Sequence, residues 1–505
     1  MKKLFVCFLT LAMILSIAAC GGSPGGDAAT AGIVVGLSAD VSALDPQLSN
    51  ELGSVAVYGN MFDTLVLMDE NHDIVPHIAK SWEQTDDLTT VFHLRDDITF
   101  SNGDKLTAED VVFTIDRVIN SYYVAYSLDF VDYAEALDEY TVAVHTKEPF
   151  GPIMAHFTIP YTGIVPKSAV EADESAFSLN PIGSGAYELV SWNPGDSIIF
   201  KANENYFLGA PEVKELTFKI MPENSQRLIA LENGEIDIAY DISPNDISKI
   251  EKDDSLKVLN EESMACMMLT INTAKDGPLS DVRVRQALEL AVDKQALADA
   301  VAYGYGSPAA IIIPPICVGY SDIQKPIGQN LEAAKALLAE AGYADGFTCK
   351  LWTSDDTLRI EACNIIQNQL DQINVTADIE ILEYGSLLSR LNDGEHDLIY
   401  ERWTTDSCDA YYTLYGMYDS SCTAYEGNDA FYNNPEVDRL LAEARTKFDE
   451  KDRLKVYEEI YKIIAADTPY ITTYYPFTSV AMKSNINGFR INPSGANQIR
   501  LLTIG

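Results

Sequence analysis

Apolar residues along this chain recur at two spacings, and the spacing changes where glycine, proline, asparagine or aspartate interrupts it. "GIVVGLSADVSALDP" opens on a β-branched run that predicts a strand, then a turn at Asp45-Pro46. "TTVFHLRDDITFSNGDKLTAEDVVFTIDRVI" predicts a strand, a turn at Asn102-Gly103 and a helix. Thr107 and Asp110 hold capping-box positions at that helix start, and Val111, Ile115 and Val118 share one face. "IGSGAYELVSWNPGDSIIFKANENYF" reads as strand, turn at Asn193-Pro194-Gly195, strand. Val284, Ala287, Leu288, Ala291 and Val292 keep helical spacing, and Asn330 to Glu340 forms a further helix with Gly342 at its C′ stop. Asn434-Pro435 starts another helix, with Val437, Leu440, Leu441 and Ala444 on one face. The helix through Leu454, Tyr457, Tyr461 and Ile464 stops before Thr468-Pro469, and "YITTYYPFTSVAM" returns as a strand. This alternation predicts α/β lobes whose apolar stripes form the core.

One pattern occurs twice. "LENGEIDIAYD" (231–241) and "LNDGEHDLIYE" (391–401) share Leu-x-x-Gly-Glu-x-Asp-apolar-apolar-Tyr-acid. In each, a helix ends at a glycine able to take the left-handed conformation, and a short buried strand follows. Two such units about 160 residues apart predict two similar lobes. In open α/β sheets a ligand sits beyond the carboxyl ends of strands, which here are Tyr240-Asp241 and Tyr400 to Asp406.

The chain has 505 residues, enough for two or more cores. Its net charge is 35 minus 76, or −41, so it repels polyphosphate, and nucleic acid is excluded as a partner. Lys2 and Lys3 precede an apolar run from Leu4 to Ile17, which is a secretory leader rather than a membrane span. "IAAC" at 17–20 resembles a lipobox, which would put a diacylglycerol on Cys20 and hold the protein at a membrane. Residues 1-19 are then a leader, residues 20-31 a Gly/Ala/Ser/Pro-rich tether, and the body lies outside the cytoplasm. Cys266, Cys317, Cys349, Cys363, Cys408 and Cys422 all lie in the second half. Cys349/Cys363 and Cys408/Cys422 are the short-loop disulfide candidates, with reduced thiols equally open.

Catalytic signatures are missing. The body after the tether has no G-x-S-x-G, H-E-x-x-H, C-x-x-C or Gly-rich phosphate loop, and the six histidines show no metal-ligand spacing. The acids Asp97, Asp104, Glu109 and Asp110 lack the alternation of a calcium loop, and capping explains them better. No enzyme, cofactor or metal is expected. Met264, Cys266, Met267 and Met268 form a sulfur cluster that reads as core or hinge strand.

Several stretches resemble the family 5 solute-binding proteins, the peptide/nickel-type receptors of ABC importers. They are "IAKSWEQTDDLTTVFHLRDDITFSNGDKLTAEDVVFTIDRV" (78–118), "IGSGAYELVSW", "LIALENGEIDIA", "VRVRQALELAVDKQAL", "AAKALLAEAGYADGF" and "RLKVYEEIYKIIAADTPYI". The resemblance implies an α/β, two-lobed periplasmic-binding-protein-like fold with a hinge. Residues 32-75, 180-270 and 488-505 would form lobe I, 76-179 an extra subdomain of lobe I, and 271-487 lobe II. Such a protein would be a lipid-anchored monomer on the extracytoplasmic face of the cell membrane. It would close on an oligopeptide or other small solute and dock on ABC permease subunits.

The resemblance also implies site residues. A strand ending in Trp-x-x-Asp, here Trp403 and Asp406, would set the aspartate against a peptide's α-ammonium, with Trp403 as an apolar wall and cation–π face. Arg402 stands where a small residue is usual, and Tyr400 where a peptide-binding relative has a carboxylate-pairing arginine, so Arg402 is the candidate for that role. Asp409 is followed by Ala410 where the family often has proline. Tyr58, Tyr123 and Tyr126 are further candidate contacts. A nickel chelate, an opine or a short glycan is the alternative cargo. A peptide-signal sensor without import and a secreted hydrolase are alternatives of another class.

Overall fold

The computed structural model describes residues 32–69, 71–423 and 427–505. The expected leader and the whole tether, Cys20 included, lie outside the described residues. Strand β1 (Ile33–Leu37) pairs in parallel with β2 (Glu215–Ile220) on one side and β3 (Ile238–Ala239) on the other. Antiparallel strands Ser197–Ala202 and Tyr187–Asn193 extend this sheet outward from β2. Helix α1 (Asn224–Glu232) enters β3 and buries Leu228 and Leu231 with Ile236, Ile247 and Ile250.

Between β1 and β2 the chain makes a separate antiparallel sheet, ordered Ala79–Asp86, Thr89–Leu94, Thr141–Thr146, Val131–Asp138. Helix Ala108–Ile119 covers it with Val111, Ile115 and Val118, all essentially inaccessible to solvent. Its start is capped as the sequence predicts. The Asp110 carboxylate accepts from the Thr107 backbone N–H at 2.9 Å and from its hydroxyl at 3.0 Å.

The second half begins with β4 (Leu256–Glu262) and β5 (Ala265–Ile271). It continues through β6 (Phe347–Ser354), α2 (Thr357–Asp371), β7 (Val375–Leu382), α3 (Tyr384–Asn392), β8 (Leu398–Thr404), α4 (Ala410–Tyr418), α5 (Glu450–Asp467) and β9 (Tyr470–Lys483). The strands lie in the order β7-β6-β8-β5-β9. The β7, β6 and β8 neighbours are parallel and joined by helices, as parallel pairing requires.

Strand β9 runs through both sheets. Tyr470 to Tyr474 pairs with β5, while Phe477 to Lys483 pairs with β4. The change falls at Pro476, which has no N–H to give either ladder. The chain's other crossing lies between β4 and β5, where the Ser263 hydroxyl donates to the Pro476 carbonyl at 2.5 Å. Pairing therefore moves the expected boundaries. All of β5 belongs with the second sheet rather than ending lobe I at 270, and 477–483 belongs with the first rather than with 271-487.

The repeated pattern folds the same way twice. Gly234 after α1 and Gly394 after α3 take φ of +77° and +68°, conformations open to glycine and strained for other residues. The aspartate three residues on then anchors the neighbouring strand. Asp237 accepts the Val34 N–H at 2.7 Å and the Lys483 ammonium at 2.6 Å. Asp397 accepts the Lys350 N–H at 2.9 Å and the Lys275 ammonium at 2.6 Å.

Candidate functional site

The first copy of the pattern stops early. After two residues of β3 the backbone turns at Asp241, a non-glycine residue with φ +52°. The buried Arg227 guanidinium holds this end by donating to the Tyr240 carbonyl at 3.1 Å and the Asp241 carbonyl at 2.9 Å. The exposed Asp241 carboxylate accepts the Ser38 hydroxyl at 2.5 Å, beyond the ends of β1 and β3.

The second copy continues. Strand β8 keeps its antiparallel ladder with β5 from Leu398 through Thr404, which carries Arg402 and Trp403 past the core. The loop that follows is held from several sides. The Thr405 N–H donates to the Met264 carbonyl at 2.8 Å, and Thr405 and Thr413 share a hydroxyl contact of 2.8 Å. The Trp403 indole N–H donates to the Thr413 hydroxyl at 2.9 Å. Gly427 lies on the Trp403 ring so closely that a Cβ there would sit 2.7 Å from it.

The two aspartates of this loop do different things. Asp409 is buried and caps α4 through the Tyr411 N–H at 2.9 Å. Its carboxylate also accepts from Arg453 at 2.9 Å and from the Tyr457 hydroxyl at 3.0 Å. That satisfied pair is structural. Asp406 instead takes, among the described residues, two long hydrogen bonds, from the Tyr161 and Tyr412 hydroxyls at 3.3 Å each. Burial pushes its carboxyl up to about 6, against the tyrosine hydrogen bonds and the Arg402 charge that pull it down. It is a carboxylate poorly solvated and incompletely paired.

Tyr161 and Tyr126 come from the segment inserted between β1 and β2, opposite Asp406. Their hydroxyls are 3.0 Å apart, and the Asn50 amide donates to that of Tyr126 at 3.1 Å. The Tyr412 ring bridges the groups, with its centroid 6.5 Å from Tyr126 and 6.0 Å from Trp403. An aromatic cage thus closes around one carboxylate.

Arg402 is reached by water but hemmed in by protein, as a residue on a cleft wall is. That crowding lowers its pKa, the Asp241 charge from the first sheet raises it, and Arg359 near the start of α2 lowers it again. The charge at the end of the first copy of the pattern therefore acts on Arg402 from the other sheet. On the Trp403 face of β8, burial pushes Glu401 up to about 7, while the Thr270 hydroxyl donates to it. Burial and the Glu401 charge push Asp429 up as well.

The structure brings Trp403, Asp406, Arg402 and Tyr126 together. Tyr58 is fully buried, with its hydroxyl on the Ser49 carbonyl at 3.0 Å, so it backs the cage without lining it. Tyr400 is corrected from cleft to core, because Leu398 and Tyr400 precede Arg402 on β8 and are packed inside the lobe, and its hydroxyl meets Thr473 at 3.1 Å. Tyr123 stands apart, half exposed, with its ring against Tyr122 at 5.3 Å. Sequence reasoning missed Tyr412, Tyr161, Asn50 and Arg359. Tyr412 was within reach, in the tyrosine-rich run after Asp409. Among the described residues no group of histidine, cysteine and acidic side chains is arranged to hold a metal ion. A groove of about 780 Å³ lined by Leu67, His72, Val75, Phe489, Asn492 and Leu501, among others, contains neither Trp403 nor Asp406.

The family model for bacterial extracellular solute-binding proteins, family 5, matches residues 73–425. The chain belongs to this family. A curated relative, the glutathione-binding protein GsiB of Salmonella typhimurium, is 28% identical over 473 residues, covering 91% of this chain and 92% of that protein. The solved structure of HbpA2 from Haemophilus parasuis is 25% identical with a TM-score of 0.84, covering 94% of this chain and 100% of the other. The periplasmic binding protein DppA from Helicobacter pylori, solved with the peptide STSA, is 26% identical with a TM-score of 0.81, covering 94% and 98%. As a family 5 protein the chain is an extracytoplasmic solute receptor with the two-lobed α/β fold, and its relatives are binding proteins.

Proposed function

We propose that this receptor captures a short peptide with a free N-terminus and delivers it to an ABC permease. The observation that carries this reading is Asp406, a carboxylate held in an aromatic cage with two long hydrogen bonds and, among the described residues, no cation in contact. A peptide ammonium would supply the missing charge-assisted partner, at roughly 1.5–3 kcal/mol per hydrogen bond. Trp403, Tyr126 and Tyr412 would add apolar surface and ring faces. The guanidinium groups of Arg402 and Arg359 offer opposite charge on the same wall, where a zwitterion would place its carboxylate. The peptide-bound DppA structure supports the same class of cargo. Closure of the lobes would occur about the β4–β5 and β9 crossings, with Cys20 holding the mature protein at the membrane through its lipid.

The test is a melting screen of residues 32–505 against mixed di- to pentapeptides, a nickel–histidine chelate and short oligosaccharides. A ligand at 100 times its dissociation constant adds about 2.7 kcal/mol of stability. The expected result is a rise in melting temperature with peptides alone. A rise with only the chelate or a sugar would overturn the peptide reading and leave the receptor. For the anchor, Cys20→Ala should move the exported protein from the membrane to the soluble fraction.

A further inference from the structure

Cys317 and Cys408 are both buried, and their sulfur atoms are 3.5 Å apart. The short-loop pairings suggested by spacing are not what the structure builds, since Cys408 lies against Cys317 rather than being bonded to Cys422. The backbones around the two thiols are already aligned. Val318 and Asp409 form an isolated parallel bridge, in which the Val318 N–H donates to the Cys408 carbonyl at 2.9 Å and the Ala410 N–H to the Val318 carbonyl at 2.8 Å. One step back along that register, Cys317 stands opposite Cys408. Paired strands lie about 4.8 Å apart, inside the range of Cα separations that a disulfide spans.

We propose that Cys317 and Cys408 form a disulfide in the exported protein, tying the Asp406 loop to the segment around residues 314–320. The chemistry is thiol–disulfide exchange with an external disulfide such as oxidised glutathione. The thiolate of one cysteine attacks the external disulfide and releases one small thiolate. The second cysteine, having lost its proton to solvent, attacks the resulting mixed disulfide and releases the other. The two protein thiols are oxidised by two electrons, and one external disulfide is reduced to two thiols. Both side chains are inaccessible once folded, and burial with the neighbouring thiol pushes Cys317 up, so exchange belongs to the folding chain. Sulfurs at this separation need only small side-chain rotations to bond, and Cys408 already holds a left-handed backbone with φ +54°. Asp406 lies two residues before Cys408, so the bridge would fix the cage carboxylate. That consequence rests on the peptide-ammonium reading; the bridge itself does not.

The test is mass mapping of the exported full-length protein, alkylated in denaturant without reductant. The expected product is a linked pair of peptides containing Cys317 and Cys408, lighter than their sum by two hydrogens, about 2 Da, and lost on reduction. Finding both residues alkylated, in exported protein and after refolding with excess oxidised glutathione, would overturn the proposal. As a second readout, phosphine reduction under native-refolding conditions should lower the wild-type melting temperature and leave Cys317→Ser unchanged. Equal responses of the two proteins would also count against the bridge. If the bridge maps but peptides do not bind, the ammonium reading alone falls.

Discussion

Residues 231–241 and 391–406 start from the same pattern and end differently. Both use a left-handed glycine to leave a helix and an aspartate to anchor the adjacent strand. In the first, Arg227 ties off the backbone after two strand residues. In the second, β5 supplies a full antiparallel partner, so the strand runs on and carries Arg402, Trp403 and Asp406 into the cleft. The shared part makes a lobe, and the extension makes a site. Substitutions in the shared part should therefore act on stability, and those in the extension on binding.

The largest effect is expected at Asp406. Asp406→Asn should weaken free-N-terminus peptides about tenfold or more, at about 1.4 kcal/mol per decade, with the melting temperature of the unliganded protein not lowered. Asp241→Asn, at the end of the first copy, should cost less than threefold by the same titration. Equal losses at both positions would erase the distinction between the copies.

Acidity gives a second handle. The Asp406 carboxyl sits near 6, so peptide affinity should fall as pH drops through about 6. The sign for stability is opposite. A carboxyl raised above its unfolded value binds more protons when folded, so its contribution makes the unliganded protein less stable as pH rises through 6. In Asp406→Asn the pH dependence of affinity near 6 should vanish.

Arg402→Gln should weaken peptides with a free carboxylate several-fold and leave C-terminal amides nearly unchanged. Amide and acid falling together would move the carboxylate contact elsewhere, Arg359 being the nearest alternative.

Much of the frame could be read from spacing. The capped helix at Thr107, the stop at Gly342 with φ +92°, the start at Asn434 and the repeated glycines rest on local backbone rules, and the chain obeys them. The motif put Asp406 and Trp403 in one candidate site, and both lie against Tyr412. Tyr161 was not, because its hydroxyl reaches Asp406 across 245 residues of sequence and no local pattern marks it. Tyr400 misled for the opposite reason. Its place in the motif suggested the cleft, while its position deeper along β8 than Arg402, on the same face, leaves it in the core. Loop length left short-loop disulfides and reduced thiols open, and it could not mark Cys317, which meets Cys408 through a non-local parallel bridge.

Stability should separate the copies least. Asp237→Asn and Asp397→Asn should each cost about 1–2 kcal/mol in urea unfolding, because each removes a charge-assisted contact to a backbone N–H and a lysine. Smaller still, Gly234→Ala and Gly394→Ala should each cost about 1 kcal/mol. Gly394 should be the worse, since its new Cβ would meet the Phe431 ring at 3.1 Å where that of Gly234 meets the end of the Lys483 side chain at an ordinary 3.7 Å.

The most direct test is a calorimetric cycle with one peptide, free and N-acetylated, against wild type and Asp406→Asn. If Asp406 takes the ammonium, acetylation costs the wild type about tenfold or more and costs the variant almost nothing. If acetylation costs both proteins the same, the ammonium sits elsewhere and the cage around Asp406 is not its site.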